Sequence, residues 1–250
     1  MAPRPGALRL LDWLAFASLV PAGVAIGLVL AACAALGSAP DWLGAGLAAA
    51  GTLVVYNVDR LRDTRADRAS APLRTAFVEA HRGLLEGLTA AALAVAVGLG
   101  LLMPREVQLL CAGILVLGLL HRRLKRRASW KPFYVGGAWV AVTAGIPAVA
   151  APDTSHAPWL VAIYAVTVAA NVLGTNLRDA GETRRLWLAR GLTLVAVGIA
   201  LAAPPAVHPL AAIPACELLA LLGFHPGERY RLVVLDGALA AGAVLALALI

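Results

Sequence analysis

Nine apolar runs divide this chain, at 13–36, 42–57, 84–103, 107–120, 133–152, 157–175, 186–203, 205–224 and 232–250. A bilayer core about 30 Å thick takes roughly 20 apolar residues in one helix. Backbone groups in hydrocarbon must be satisfied within the segment, so the helix is the spanning element open to runs of this kind. The connectors are too short for a separate soluble domain. Composition agrees: 61% of residues are hydrophobic and 14% charged, against about 45–50% and about 25% in soluble domains. The expected fold is an all-α integral membrane protein, a single domain over 1–250 with about nine transmembrane helices around a central cavity. The fourth run is short, and the eighth carries Pro205, Pro209 and Pro214, which predicts a broken or re-entrant start.

The net charge of +7 would suggest nucleic acid in a soluble protein. In a membrane protein it is the excess expected of cytoplasmic loops, so membrane lipids, and not nucleic acid, are the expected surroundings. With a cytoplasmic N-terminus, the tail and segments 58–83, 121–132, 176–185 and 225–231 hold 19 of the 21 Lys and Arg residues. The outside connectors contain Arg105, and Arg190 lies just inside the seventh run. Cys33, Cys111 and Cys216 all sit in apolar runs, which indicates neither a disulfide framework nor a zinc site. A rival reading takes Arg4, Arg9 and Leu30-Ala31-Ala32-Cys33 as a lipoprotein signal peptide, at the cost of one helix of the bundle. The Ala- and Arg-rich composition suggests a high-GC bacterial source, hence a multi-pass protein of the inner membrane.

Two acidic segments follow runs two and six. In the first, Asp59, Asp63 and Asp67 are spaced i, i+4, i+8 after Tyr56-Asn57, so a helix continuing from run two lines them along one face. Like charges at that spacing repel, and a hard cation such as Mg²⁺, which takes one or two carboxylates plus phosphate oxygens, would relieve them. The alternative is a solvated helix laced with ion pairs to Arg60, Arg62, Arg65 and Arg68. The second segment runs Asn171 to Arg185 and carries Asn176, Arg178, Asp179 and Glu182; read alone it is a charged helix end. Two such segments on one face could hold metal ions bridging a diphosphate. The basic stretch His121 to Lys131, with Lys125 and Lys131, then reads as a cationic rim or as a topology signal. Arg74 in Pro72-Leu73-Arg74 suits a bidentate phosphate contact. Glu217 and Asp236 lie within the last two runs; such acids are functional by default, although satisfying a neighbouring helix is the commoner role.

These residues resemble the UbiA family of intramembrane prenyltransferases, which has nine transmembrane helices and two Asp-rich motifs after helices two and six. Asn57…Asp63-x-x-x-Asp67 with Pro72-Leu73-Arg74 resembles the first motif. Asn176-Leu177-Arg178-Asp179 resembles the second, in its menaquinone-branch form. His121-Arg122-Arg123-Leu124-Lys125 approaches the family's Tyr-x-x-x-Lys element. Two positions depart: Arg60 stands where the first Asp is expected, with Asp59 one residue early, and Thr183 replaces an acid, with Glu182 one residue short. The resemblance implies catalytic Asp63, Asp67 and Asp179, Mg²⁺ held by these with Asp59 and Glu182, and a polyprenyl diphosphate bound with Asn57, Arg74, Lys125, Lys131, Asn171, Asn176 and Arg178. A lipophilic acceptor would capture the allylic cation. A small-molecule or ion transporter, and a non-catalytic member of the same family, are the competing readings.

Overall fold

The computed structural model describes residues 6–124, 131–177 and 182–250. Within them the chain is all-helical, with no strand. The helices are α1 (Gly6–Phe16), α2 (Leu19–Ala35), α3 (Trp42–Asp67), α4 (Pro72–Ala80), α5 (Arg82–Leu102), α6 (Arg105–Leu124), α7 (Lys131–Val140) and α8 (Ile146–Ala150). They are followed by α9 (Ala157–Thr175), α10 (Thr183–Ala202), α11 (Ala212–Leu222) and α12 (Asp236–Leu249). A π-helical stretch, Ala141–Gly145, joins α7 to α8, and another, Tyr230–Leu235, leads into α12. The prolines of the eighth run produce a 3-10 helix, Pro205–Ala211, ahead of α11, which is the broken start that their missing amide protons predict.

Among the described residues, six helical rods are long and apolar enough to cross a membrane, and the bent pair α1–α2 brings the number to seven. The helices α3 and α6 fall outside that set, and their ends carry Asp59 to Asp67 and Arg105, Glu106, Arg122 and Arg123. Only 11% of the most apolar stretch of α5 is buried, and Leu93, Val95, Val97, Leu101 and Leu102 face outward from it. An apolar surface of that kind requires lipid or a partner helix. The chain is thus consistent with a multi-pass helical membrane protein.

Packing follows chain order and closes on itself. α2 packs on α3 and α3 on α5; α9, α10, α11 and α12 pack in succession, and α12 returns to α2. One half of the interior is filled by Leu28, Ala31, Ala32, Leu160, Ile163, Tyr164, Leu210 and Ile213, with the Tyr164 hydroxyl donating to Leu28 O at 2.8 Å. Small residues set the closest approaches. A Cβ on Gly242 of α12 would lie 2.5 Å from Ile213 Cα and 2.8 Å from Ala212 O. That obstacle is backbone, which cannot rotate aside. Gly242→Ala should therefore cost about 1–3 kcal/mol, the usual penalty of overpacking, read as a lower melting temperature of the purified protein.

The first run, 13–36, is not one straight helix. The chain turns by 64° between α1 and α2, with Ser18 in the left-handed region at φ 64°. A non-glycine residue there is strained and persists where its surroundings hold it. The Ser18 hydroxyl donates to Asn57 Oδ1 at 2.7 Å, fully buried, which supplies that hold.

Candidate functional site

α3 runs unbroken through the first acidic segment to Asp67, as the i, i+4, i+8 spacing predicts. Its carboxylates sit at graded depths: Asp59 is exposed, whereas Asp63 and Asp67 are half-buried. At 100° per residue, Asn57 stands about 120° around the helix from Asp63. It is accordingly buried against Ser18 and does not share the carboxylate face. Tyr56 and Arg60 flank it. Tyr56 accepts from Trp139 Nε1 at 3.1 Å, and Arg60, 4% exposed, donates to Ala15 O at 2.9 Å. The position where the family resemblance expects an Asp is thus a buried strut between α3 and α1.

α3 ends where Asp67 O accepts the amides of Ser70 and Ala71, at 3.0 and 2.7 Å. The chain then reverses into α4, with Pro72 in its first turn, a position that suits a residue without an amide proton. The reversal brings Arg74 onto Asp67, Nη2 to Oδ2 at 2.5 Å. The amides of Leu73 and Arg74 donate to the two carboxylate oxygens of Glu228, each at 3.1 Å. A helix N-terminus is ordinarily capped by a local side chain; here the cap comes from the far end of the chain. Glu228→Gln should loosen α4 by about 1 kcal/mol, read as faster amide exchange at 73–77 with the rest of the bundle unchanged.

The helical turn that starts at Glu228 and leads into the π-helical stretch knits this face together. Arg229 grips Asp12 of α1, Nε and Nη2 donating to its carboxylate at 2.7 and 3.2 Å, and these hydrogen bonds to Asp12 hold the Arg229 guanidinium above its usual pKa. Arg231 Nη1 reaches Thr175 O and Leu177 O, at 3.4 and 3.2 Å, where the second acidic segment begins. Segments 58–74, 175–177 and 228–231, which the positive charges assign to one side, therefore share one face with α1.

Within the second segment the candidates divide. Asn171 is buried, its Nδ2 donating to Glu217 Oε1 at 3.3 Å. Asn176 folds back on its own helix, donating to Val172 O at 2.5 Å. Glu182 pairs with Arg185 at 3.2 Å. Lys125, Arg178 and Asp179 lie outside the described residues, as does the side chain of Lys131, whose backbone opens α7.

The arrangement thus brings Asp67 and Arg74 into contact beside Asp63, while Asn57 and Asn171 are turned to structural partners. Among the described residues, no three His, Cys, Asp or Glu side chains are grouped to hold a metal ion. Two pockets, of about 360 and 330 Å³, are lined by residues such as Gly37, Asp153 and Pro205, and by Leu110, Ile114 and Ala138; neither touches Asp63 or Asp67. Arg190, which stood out as a charge inside a span, donates to Leu221 O and Leu222 O, satisfying the carbonyl end of α11. The roles of Ser18, Arg60, Glu228 and Arg231 are not signalled by local sequence, because each acts on a backbone or side chain distant in the chain. The chain matches no family model, no curated protein and no solved structure.

Proposed function

We propose that the chain is a Mg²⁺-dependent prenyltransferase that moves a polyprenyl group from its diphosphate to an aromatic or other lipophilic acceptor, with the reacting face cytoplasmic and the protein in a bacterial inner membrane. The observation that carries this reading is the half-buried Asp63 and Asp67 on one helix face with Arg74 drawn onto Asp67. The donor set fits the ion: these are hard oxygen ligands, and Mg²⁺ is satisfied by one or two carboxylates together with waters and phosphate oxygens. Asp63 and Asp67 would hold it, joined by Asp179 and, at the edges, Asp59 and Glu182. When bound, Mg²⁺ neutralises charge on a leaving diphosphate.

The chain's own residues do the rest. Arg74, held beside the acids by Asp67 and by the Glu228 cap on its helix, offers a planar fork for phosphate oxygens. Lys125, Lys131 and Arg178 would add positive charge for the diphosphate, while the buried Asn57 and Asn171 and the half-buried Asn176 are bonded within the bundle. Apolar helix walls keep water from the allylic cation once the C–O bond opens, and the acceptor's electron-rich atom forms the new bond as its proton passes to the released diphosphate.

A non-hydrolysable diphosphate analogue tests the binding half of the reading. Thermal stabilisation that requires Mg²⁺ and is abolished by chelator is expected. Stabilisation independent of Mg²⁺, or none at any concentration, overturns it.

A further inference from the structure

The prenyl-transfer reading assigns no role to the two acids buried in the last helices. Glu217 of α11 is 0% exposed and Asp236, the first residue of α12, is 8% exposed. The amide of Asn171 on α9 meets the first of them, Nδ2 donating to Glu217 Oε1 at 3.3 Å, and both Asn171 and Glu217 lie within electrostatic reach of Asp236. The second carboxyl oxygen of Glu217, Oε2, is buried with no hydrogen-bond partner among the described residues. The wide π-helical turn just before Asp236 shifts the register by which α12 presents it, a feature frequent at functional positions.

The charges around the pair can be traced one at a time. α3 contributes Arg60 and Tyr56, both within electrostatic reach of Asp236. Tyr230, near Glu217, donates its hydroxyl proton to Ala220 O at 2.6 Å. Arg190 serves the carbonyls of Leu221 and Leu222, and Arg231 those of Thr175 and Leu177. Arg229 is held by Asp12. Arg60 is a described cation within reach of Asp236, but an ionised Glu217 would leave Oε2 without a partner in a medium that penalises buried charge heavily. Such a group neutralises by taking a proton.

We propose that Glu217, Asn171 and Asp236 form a proton-binding site in the bundle. Glu217 carries one proton at neutral pH, with Asn171 donating to its first carboxyl oxygen and Asp236 completing the site. The site lies one to two helical turns in from the face that bears Asp63 and Asp67, since Asn171 and Glu217 precede the ends of α9 and α11 by four and five residues. It needs neither Mg²⁺ nor a diphosphate, so it stands or fails apart from the proposed reaction.

Infrared spectroscopy of the full chain in lipid nanodiscs reads the proton directly. At neutral pH the wild type should show the carbonyl stretch of a protonated carboxylic acid, shifting in D₂O. Glu217→Gln should remove that band, and Asp153→Asn, an exposed acid elsewhere, should leave it. Absence of the band in the wild type, or its survival in Glu217→Gln, overturns the proposal. Should Glu217→Gln fail to fold, Glu217→Asp should move the band instead, and an unmoved band counts against the site. Exchanging choline for sodium at fixed ionic strength should leave the band intact; its loss would mean that a metal cation takes the place of the proton.

Discussion

Asp63→Asn is expected to lower Mg²⁺-dependent diphosphate release by about 10²–10³-fold, the usual cost of deleting one preorganised electrostatic contact at a reacting centre. The substitution keeps size while removing the charge and turning one acceptor oxygen into an N–H donor. Because Asp63 is half-buried in the last turns of α3 and asparagine matches its size, the variant should remain folded, which its thermal unfolding checks. Asp67→Asn is a more compound test, because it also frees Arg74 from its ion pair. A matching loss of rate with an altered KM for the diphosphate substrate would indicate that both partners meet it. Rates unchanged in both variants would remove the acidic face from the chemistry.

The largest effect on stability should come from Arg60→Met. Arg60 is 4% exposed, donates to Ala15 O and lies 6.0 Å from the centre of the Tyr56 ring. Methionine fills much of the volume but leaves the Ala15 carbonyl without its donor. Losing a hydrogen bond from a charged group costs about 1.5–3 kcal/mol. Thermal unfolding of the purified variant measures the total, and faster amide exchange confined to α1 would locate it. By contrast, Arg68→Ala should cost at most about 1 kcal/mol, since Arg68 and Glu79 pair with side chains 70% and 48% exposed. Equal losses in the two variants would contradict the view of Arg60 as a buried strut.

These two residues also mark what local sequence can and cannot convey. The spacing of Asp59, Asp63 and Asp67 announced a helix extending beyond the second apolar run, because helical period is a local property that charges reveal as clearly as apolar residues do. The prolines of 205–214 announced their 3-10 start for the same reason. The bend at Ser18 was invisible, since an Ala- and Leu-rich run reads as continuous and the residue that holds the turn, Asn57, is 39 positions away. Arg60 read as one of several interleaved arginines, and only packing separates it from Arg62 and Arg68. Glu217 and Asp236 stood out as intramembrane acids, yet the bond from Asn171 to Glu217 depends on α9 and α11 packing side by side. The Glu228 cap on α4 is of the same kind, 154 and 155 residues from its amides.

The central claim is that the face bearing Asp63, Asp67 and Arg74 ionises a polyprenyl diphosphate, and the most direct measurement is turnover by the purified chain. Labelled geranylgeranyl or farnesyl diphosphate, a panel of aromatic and lipid acceptors, and Mg²⁺ with or without chelator make up the assay. The account predicts release of inorganic diphosphate and labelled product with Mg²⁺ present, and neither with chelator or in Asp63→Asn. A folded protein that neither binds nor cleaves the diphosphate at any Mg²⁺ concentration would contradict it.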